Sequence, residues 1–424
     1  MIASRRSLSQ AAFAARVDNL TKTAITDGAI SFAALLRGLP GVYPTEALAS
    51  VDRLAGDKAI DPAVAASIRR EAAVTATAVV EGRSLLPLPH PLDYEWRVTP
   101  DAARSLLNRA ADLTPAEGDL LLFGTPGLAV EALTLPIGRR LAFLAESNGI
   151  TYRVLALNRA TGSPLSIAFC SGGLPRESAD AVLLDPPWYL DFVRPMLSAA
   201  AHACRPGGVV LISLAPNGAR PSAEADRHIT IGFARRLGLA VIDHSPLAIG
   251  YETPFFERNA LAAAGIYPPP QWRRGDLVVF RKTCAPTRPP PASSVRRREW
   301  NEVGIGRMRL FIRRADEASS DEASLTSLVD GDILPTVSRR DPRRRLANVW
   351  TSGNRIFHTD NPQLVLEAAI SCAGEAIGSG VQPRLWGTTA SMRRWSESQP
   401  SCELSQRSRR KKRVKRRQLR RNGV

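Results

Sequence analysis

The sequence predicts an α/β protein: a Rossmann-like doubly wound sheet, preceded by a helical domain and followed by a small domain and a basic tail. Three observations carry that prediction. Between residues 102 and 282, short apolar runs alternate with helix-compatible stretches, the pattern of a mostly parallel sheet covered on both faces. The first run empties into a glycine-bearing turn, Gly124-Thr125-Pro126-Gly127, ahead of a helical stretch. A later run, Val182-Leu183-Leu184, ends on Asp185-Pro186-Pro187-Trp188-Tyr189, and two consecutive prolines must take the backbone out of a sheet ladder.

Residues 1–85 read as a helical domain. Phe32, Leu35, Leu36 and Leu39 recur at helical spacing until Pro40-Gly41, then Ala47, Leu48, Val51 and Leu54 repeat the pattern. Asp61-Pro62 opens another helix, since proline is tolerated at a first helical position. Such a group suits a winged-helix-like or protein-binding module, or a brace for the domain that follows. The opening stretch, free of acids until Asp18, reads as an amphipathic helix, with a transit peptide as the other reading. Residues 86–101 crowd His90, Asp93, Tyr94, Glu95, Trp96 and Arg97 onto a proline-stiffened backbone. Two readings stand: a lid over a pocket, or a linker between domains.

The sheet domain spans residues 102–283. Its expected strands are Asp119–Phe123, Leu141–Ala145, Val182–Leu184, Val209–Leu214, Leu239–Ile242 and Leu277–Phe280, with a weaker one at Ile167–Phe169. Phe192, Met196, Ala199 and Ala203 line a helix that should stop before a turn at Pro206-Gly207-Gly208. The last strand, after Arg273-Arg274-Gly275-Asp276, is expected to pair antiparallel at the sheet edge. A Pro-rich linker covers 284–298 and a small strand-containing domain 299–384. The latter carries a basic segment, Ser338-Arg339-Arg340-Asp341-Pro342-Arg343-Arg344-Arg345, just before Trp350. That segment is read either as a nucleic-acid contact using charge and stacking or as a solvated loop. Residues 385–424 read as a disordered basic tail.

Composition bounds the function. The chain has 424 residues, 44% hydrophobic and 23% charged, values of a soluble globular protein, with no run of membrane-helix length. Five cysteines without a CxxC pair argue against a disulfide framework and against structural zinc, and fit a reducing cytoplasm. The five histidines show no metal-ligand spacing, so no metal is expected. From Arg407 to the end there are eleven Lys/Arg and no acid. This tail (407–421) either tethers nucleic acid or is simply solvated.

The chemistry concentrates at two strand ends. A glycine at a strand-to-helix turn lets a ligand approach the backbone. Glu146 closes the next strand 22 positions after Gly124, about where an acid reaches ribose hydroxyls in dinucleotide-type folds. Asp185 offers an anionic acceptor, Pro186 a carbonyl and Trp188 a flat ring, a set that suits a planar amine-bearing ring. Tyr189, Arg220 after the Val209–Leu214 strand, and Glu257 and Arg258 after Leu239–Ile242 are candidate substrate contacts. The alternative for this last pair is that Phe255 and Phe256 merely anchor a connection.

Over Asp119 to Lys282 these residues resemble class I S-adenosylmethionine-dependent methyltransferases. The tetrapeptide Asp185-Pro186-Pro187-Trp188 resembles the motif of amino-methyltransferases, in the DPPW form of the adenine-N6 enzymes including the MT-A70 group. The resemblance implies S-adenosyl-L-methionine as cofactor, held by Gly124, Thr125, Gly127 and Glu146. It also implies that Asp185 and the Pro186 carbonyl accept hydrogen bonds from the target amine while Trp188 stacks on the base, with adenine in nucleic acid as the acceptor. The order of elements is also similar to branched-chain polyamine synthases, which implies aminopropyl transfer to a small amine as an alternative. Where that family carries an acidic run after the first strand, this chain has Thr125-Pro126. A third reading is a catalytically inactive scaffold that binds nucleic acid or partner proteins.

Overall fold

The computed structural model describes residues 2–39, 41–74, 85–135, 137–146, 148–163, 165–169, 176–284, 299–314 and 324–375. The basic tail, nearly all of the Pro-rich linker, and Cys170-Ser171 beyond the third strand lie outside them. Four helices come first: α1 (Ile2–Thr26), α2 (Phe32–Gly38), α3 (Pro44–Gly56) and α4 (Pro62–Ala72). Each start is locally encoded. Ser31 caps α2 by accepting from Ala34 N–H, Asp61 caps α4 by accepting from Ala63 N–H, and both α3 and α4 begin on proline. Their apolar faces (Phe32, Leu35, Leu48, Val51, Ile68) form one core that also takes in Leu261, Ile266 and Trp272 from the sheet domain.

The sheet domain runs α5 (Pro100–Asp112), β1 (Asp119–Phe123), α6 (Pro126–Ala132), β2 (Arg140–Ala145), α7 (Gly149–Thr161), β3 (Ser166–Phe169) and β4 (Ala179–Leu184). It continues through α8 (Leu190–Ala203), β5 (Cys204–Leu214), α9 (Ala223–Arg236), β6 (Leu239–Gly250), α10 (Phe255–Ala263) and β7 (Arg274–Lys282). The seven strands lie in the order β3-β2-β1-β4-β5-β7-β6. The first five run parallel, whereas β7 is antiparallel to both neighbours. The sheet is therefore the mixed, doubly wound α/β type that the alternating runs predict. One core packs α5, α6 and α7 on one face and a second packs α8 and α9 on the other. Burial on both faces explains why β1 and β4 read as continuous apolar runs.

Two expectations change. The Leu277–Phe280 strand is antiparallel but not at the edge: it inserts between β5 and β6. Its residues Leu277, Val278, Val279 and Phe280 are all buried, a continuous apolar run that marks an interior strand rather than a half-solvated edge. The Pro206-Gly207-Gly208 segment does not separate helix from strand. It is absorbed into β5 as a register shift, with Ala179 opposite Cys204 and then Ala181 opposite Val209.

The C-terminal sheet has the order β10-β12-β11-β9-β8, from β8 (Trp300–Ile305), β9 (Met308–Arg313), β10 (Thr326–Ser327), β11 (Val349–Thr351) and β12 (Ile356–His358). The short α11 (Arg343–Leu346) precedes β11, and α12 (Pro362–Glu375) covers β8 and β9. Segment 86–98 lies between the two sheets. His90 stacks on Phe311 and its Nε2 lies 3.1 Å from the Trp350 carbonyl. Arg309, 1% exposed, pairs with Asp93 on that segment and with Glu302 at 2.7 Å. Among the described residues no helix is long and apolar enough to cross a membrane.

Candidate functional site

Adjacent parallel strands put the two sequence motifs side by side. Phe123 of β1 registers with Leu184 of β4, so Gly124 and Asp185 leave the sheet together at its C-terminal edge, where open α/β sheets bind ligands. Gly124 turns with φ +65°, a left-handed conformation that favours glycine. Its N–H still donates to the Leu144 carbonyl at 2.8 Å, carrying the ladder to β2. A narrow cleft with room for about one water molecule lies there. Val98, Leu106, Thr125, Leu128, Asp185 and Ser213 are among the residues that line it. Thr125 is 4% exposed, and its Oγ1 is buried without a hydrogen-bond partner. A buried hydroxyl left in that state is costly, and here it belongs to a residue that lines the cleft.

The other expected cofactor residues flank this point. Gly127 sits in the first turn of α6, and a Cβ there would lie 3.8 Å from Val98. Segment 97–98 therefore passes over the glycine turn. Glu146 is exposed at the end of β2, beside the strand that carries Gly124.

Asp185 is half-buried and belongs to a directed hydrogen-bond chain. Trp188 Nε1–H donates to Ser213 Oγ at 3.1 Å; Ser213 lies 2.5 Å from the Tyr251 phenol, which donates to Asp185 Oδ1 at 2.8 Å. An indole can only donate and a carboxylate can only accept, so the two hydroxyl protons are oriented by the ends. Burial is the main cause that pushes the Asp185 carboxyl up to about 7. The bond from Tyr251 and the nearby Ser213 hydroxyl dipole oppose that rise, and the nearby Glu95 carboxylate adds to it. Glu95 is itself paired with Arg97 at 3.0 Å, the two side chains being only 12% and 8% exposed.

The tetrapeptide is packed from behind. Pro186 is buried, and the Pro187 carbonyl accepts from Tyr189 N–H at 2.6 Å as α8 begins. The Trp188 ring meets Tyr251 edge-on, centroids 5.6 Å apart. A Cβ on Gly275 would fall 2.9 Å from Trp188 Cζ2 and 3.0 Å from both Ser213 Oγ and Tyr251 Cε2. Only glycine at 275 leaves room for the chain. Arg273 stacks on Trp96 at 3.3 Å and reaches to 5.6 Å from Trp188.

The four expected substrate contacts separate. Tyr189 and Arg220 meet, the guanidinium 5.0 Å from the ring centroid. Arg220 also lines a second, shallow cleft with Trp188, Leu190 and Arg227. Glu257 does not face either cleft. It is 0% exposed and ion-paired with Arg273 at 3.1 Å, and burial lifts its carboxyl to about 7 against the opposing pull of Arg273. It faces the helical domain through Tyr43, because the first turn of α10 is packed under Trp96 and Trp272. Arg258 leans over Phe255 and donates to the Thr253 carbonyl, while the adjoining Asn259 bonds Gly353 of the C-terminal sheet.

Sequence placed Tyr251 at the head of a polar stretch, Tyr251 to Asn259, near the site rim but gave it no role of its own, and it gave none to Ser213 or Gly275. Ser213 carried a signal nonetheless: it is the one hydroxyl in an otherwise apolar strand, Val209-Val210-Leu211-Ile212-Ser213-Leu214.

No family model and no curated protein matches the chain. Solved structures do. The branched-chain polyamine synthase C9 mutein of Thermus thermophilus, in complex with N4-aminopropylspermidine and 5'-methylthioadenosine, is 16% identical, with a TM-score of 0.47. That match covers 67% of this chain and 94% of the synthase. A methyltransferase from Pyrococcus furiosus is 16% identical with a TM-score of 0.33, covering 49% of this chain and 93% of its own.

Proposed function

We propose that this protein transfers a methyl group from S-adenosyl-L-methionine to an amino group, with the exocyclic amine of adenine in nucleic acid as the acceptor. The observation that supports the reading is the shared cleft, whose lining includes both the unpartnered Thr125 hydroxyl and the Asp185 carboxyl. The residues present fit the cofactor in kind. Thr125 offers an orphaned donor, the Gly124 turn a close backbone approach and Glu146 an acceptor for ribose hydroxyls. The cleft has room for about one water molecule, far below the roughly 300–1,000 Å³ of ordinary ligand sites, and Val98, which crosses the glycine turn, is among the residues that fill it. The crossing segment has to shift outwards when the cofactor is held.

When bound, the cofactor supplies an electrophilic methyl carbon on a sulfonium. The chain's residues then do the positioning. Asp185 and the Pro186 carbonyl accept the two N–H protons of the amine, and Trp188 stacks on the ring that bears it. This leaves the nitrogen lone pair directed at the methyl carbon, and such orientation supplies much of a transfer's acceleration. The sulfonium would supply the methyl carbon to that nitrogen and keep the electron pair of the S–C bond. The nitrogen becomes cationic and gives a proton to Asp185, whose raised pKa makes it a suitable acceptor near neutrality.

Calorimetry with S-adenosylmethionine, decarboxylated S-adenosylmethionine and S-adenosylhomocysteine tests the cofactor. The first and third should bind, and the first should bind more tightly than its decarboxylated form. Preference for the decarboxylated form would favour aminopropyl transfer, and binding of none would favour a scaffold. Asp185→Ala should abolish transfer with cofactor affinity nearly unchanged, in a protein whose circular dichroism matches the parent.

A further inference from the structure

The mouth of the Asp185 site carries a second feature that the proposed transfer does not use. Tyr189, the residue after the tetrapeptide, has two guanidiniums close to its ring. Arg220, from the loop after β5, lies 5.0 Å from the centroid; Arg339, from the C-terminal domain, lies 4.9 Å away. Arg339 also approaches Tyr94 at 5.9 Å and Phe192 at 5.7 Å. Beside it, Arg344 packs over Trp350 at 4.6 Å and Tyr94 at 5.8 Å, and donates to the Val337 and Pro91 carbonyls. Arg344 thereby anchors the basic segment to the 86–98 crossing. Tyr94 holds a φ of +53°, a costly conformation for an aromatic residue, and it is this turn that joins the aromatic group.

From these contacts we infer that the 338–345 segment forms an arginine–aromatic clamp for the phosphodiester backbone and flanking bases of a single-stranded nucleic acid entering the Asp185 site. Three features favour that occupant. The segment holds five arginines against one acid, Asp341, so its field attracts anions and repels polyamines. Planar guanidiniums match phosphate oxygens two at a time. Half-exposed aromatic rings beside them suit unstacked bases. Arg339 is held at present by a two-pronged pair with Asp191, at 3.1 and 2.8 Å. That carboxylate occupies the fork a phosphate would take, as an internal stand-in at the first turn of α8.

The clamp rests on the reading of Asp185 to Trp188 as the acceptor site, and the test separates the two. Affinity of the full chain for a fluorescein-labelled twelve-nucleotide oligoadenylate would be measured by anisotropy across a salt series. Arg339→Ala and Asp191→Asn would be compared with the parent. Loss of the arginine should weaken binding about fivefold or more and flatten the salt slope by about one. Loss of the competing carboxylate should tighten binding. Calorimetric affinity for S-adenosylmethionine should stay the same in both, as should any transfer to free adenosine, which has no phosphate. A merely structural ion pair predicts that both variants shift affinity in the same direction or not at all, and either result overturns the clamp. Tighter anisotropy competition by spermidine than by unlabelled oligonucleotide would overturn it as well. Failure of the parent to methylate any amine would remove the Asp185 reading while leaving the opposed shifts of the two variants to be read on their own.

Discussion

A single hydroxyl decides how Asp185 works. The phenol of Tyr251 donates to it at 2.8 Å, and this bond restrains a carboxyl that burial has already lifted to about 7. Tyr251→Phe should therefore move the acid limb of the transfer-rate profile to higher pH, because the carboxylate loses a donor. A limb that stays put would show that another group titrates. The same shift has a consequence for stability. A carboxyl whose folded pKa exceeds its unfolded 3.8 binds more protons when folded between those values. Stability consequently falls as pH rises from about 4 to 7 and stays lowered above. Asp185→Asn should raise the thermal midpoint at pH 8 but not at pH 4, while abolishing transfer at both. Gly275→Ala should cost about 1–3 kcal/mol by overpacking and lower transfer further by displacing Trp188; urea unfolding and initial rates would show it. Asp185, Pro186 and Trp188 were legible because their chemistry is local in sequence. Ser213 and Tyr251 stand 25 and 38 positions from their partners in the chain, and meet only once β5, β6 and β7 have paired.

The element that matters most is the 86–98 crossing. It runs from the C-terminal sheet, where Arg309 holds Asp93, to the glycine turn, where Val98 narrows the cleft. The segment packs against the C-terminal sheet through His90 and Asp93 and lines the cleft through Val98. Arg309 is deeply buried between two carboxylates, and Asp93 is 3% exposed. Removing one partner of such a group strands the other charges, so Arg309→Ala should cost roughly 3–5 kcal/mol, measured by chemical denaturation. Binding of S-adenosylmethionine should alter amide exchange across Trp96–Val98, since the cleft must widen there. Strand periodicity revealed six of the seven sheet strands and β3 more weakly; β1, β4 and β7 read most clearly because they are buried apolar runs. The place of β7 was not legible. Antiparallel insertion depends on which neighbour a strand finds, and no local pattern records that choice.

At the scale of the whole molecule, three bodies meet around one sheet edge. The N-terminal helices share a core with Leu261, Ile266 and Trp272, and Glu257 is buried at that junction rather than presented to a ligand. Its sequence context, next to two phenylalanines, looked the same for a rim and for an anchor; only the docked helical domain distinguishes them. The C-terminal sheet seals the far side, and its contacts are non-local pairings between Arg, Asp and aromatic residues that no spacing rule predicts. The central claim is that the glycine turn and the Asp185 tetrapeptide enclose one pocket for a sulfonium donor and an amine acceptor. Transfer of a tritiated methyl group from S-adenosylmethionine to an adenine-containing oligonucleotide tests it most directly, with the parent and Asp185→Asn side by side. The account predicts label on the adenine amine with the parent, and loss of at least a hundredfold in rate with the variant at equal cofactor binding. Equal label with both proteins would contradict it.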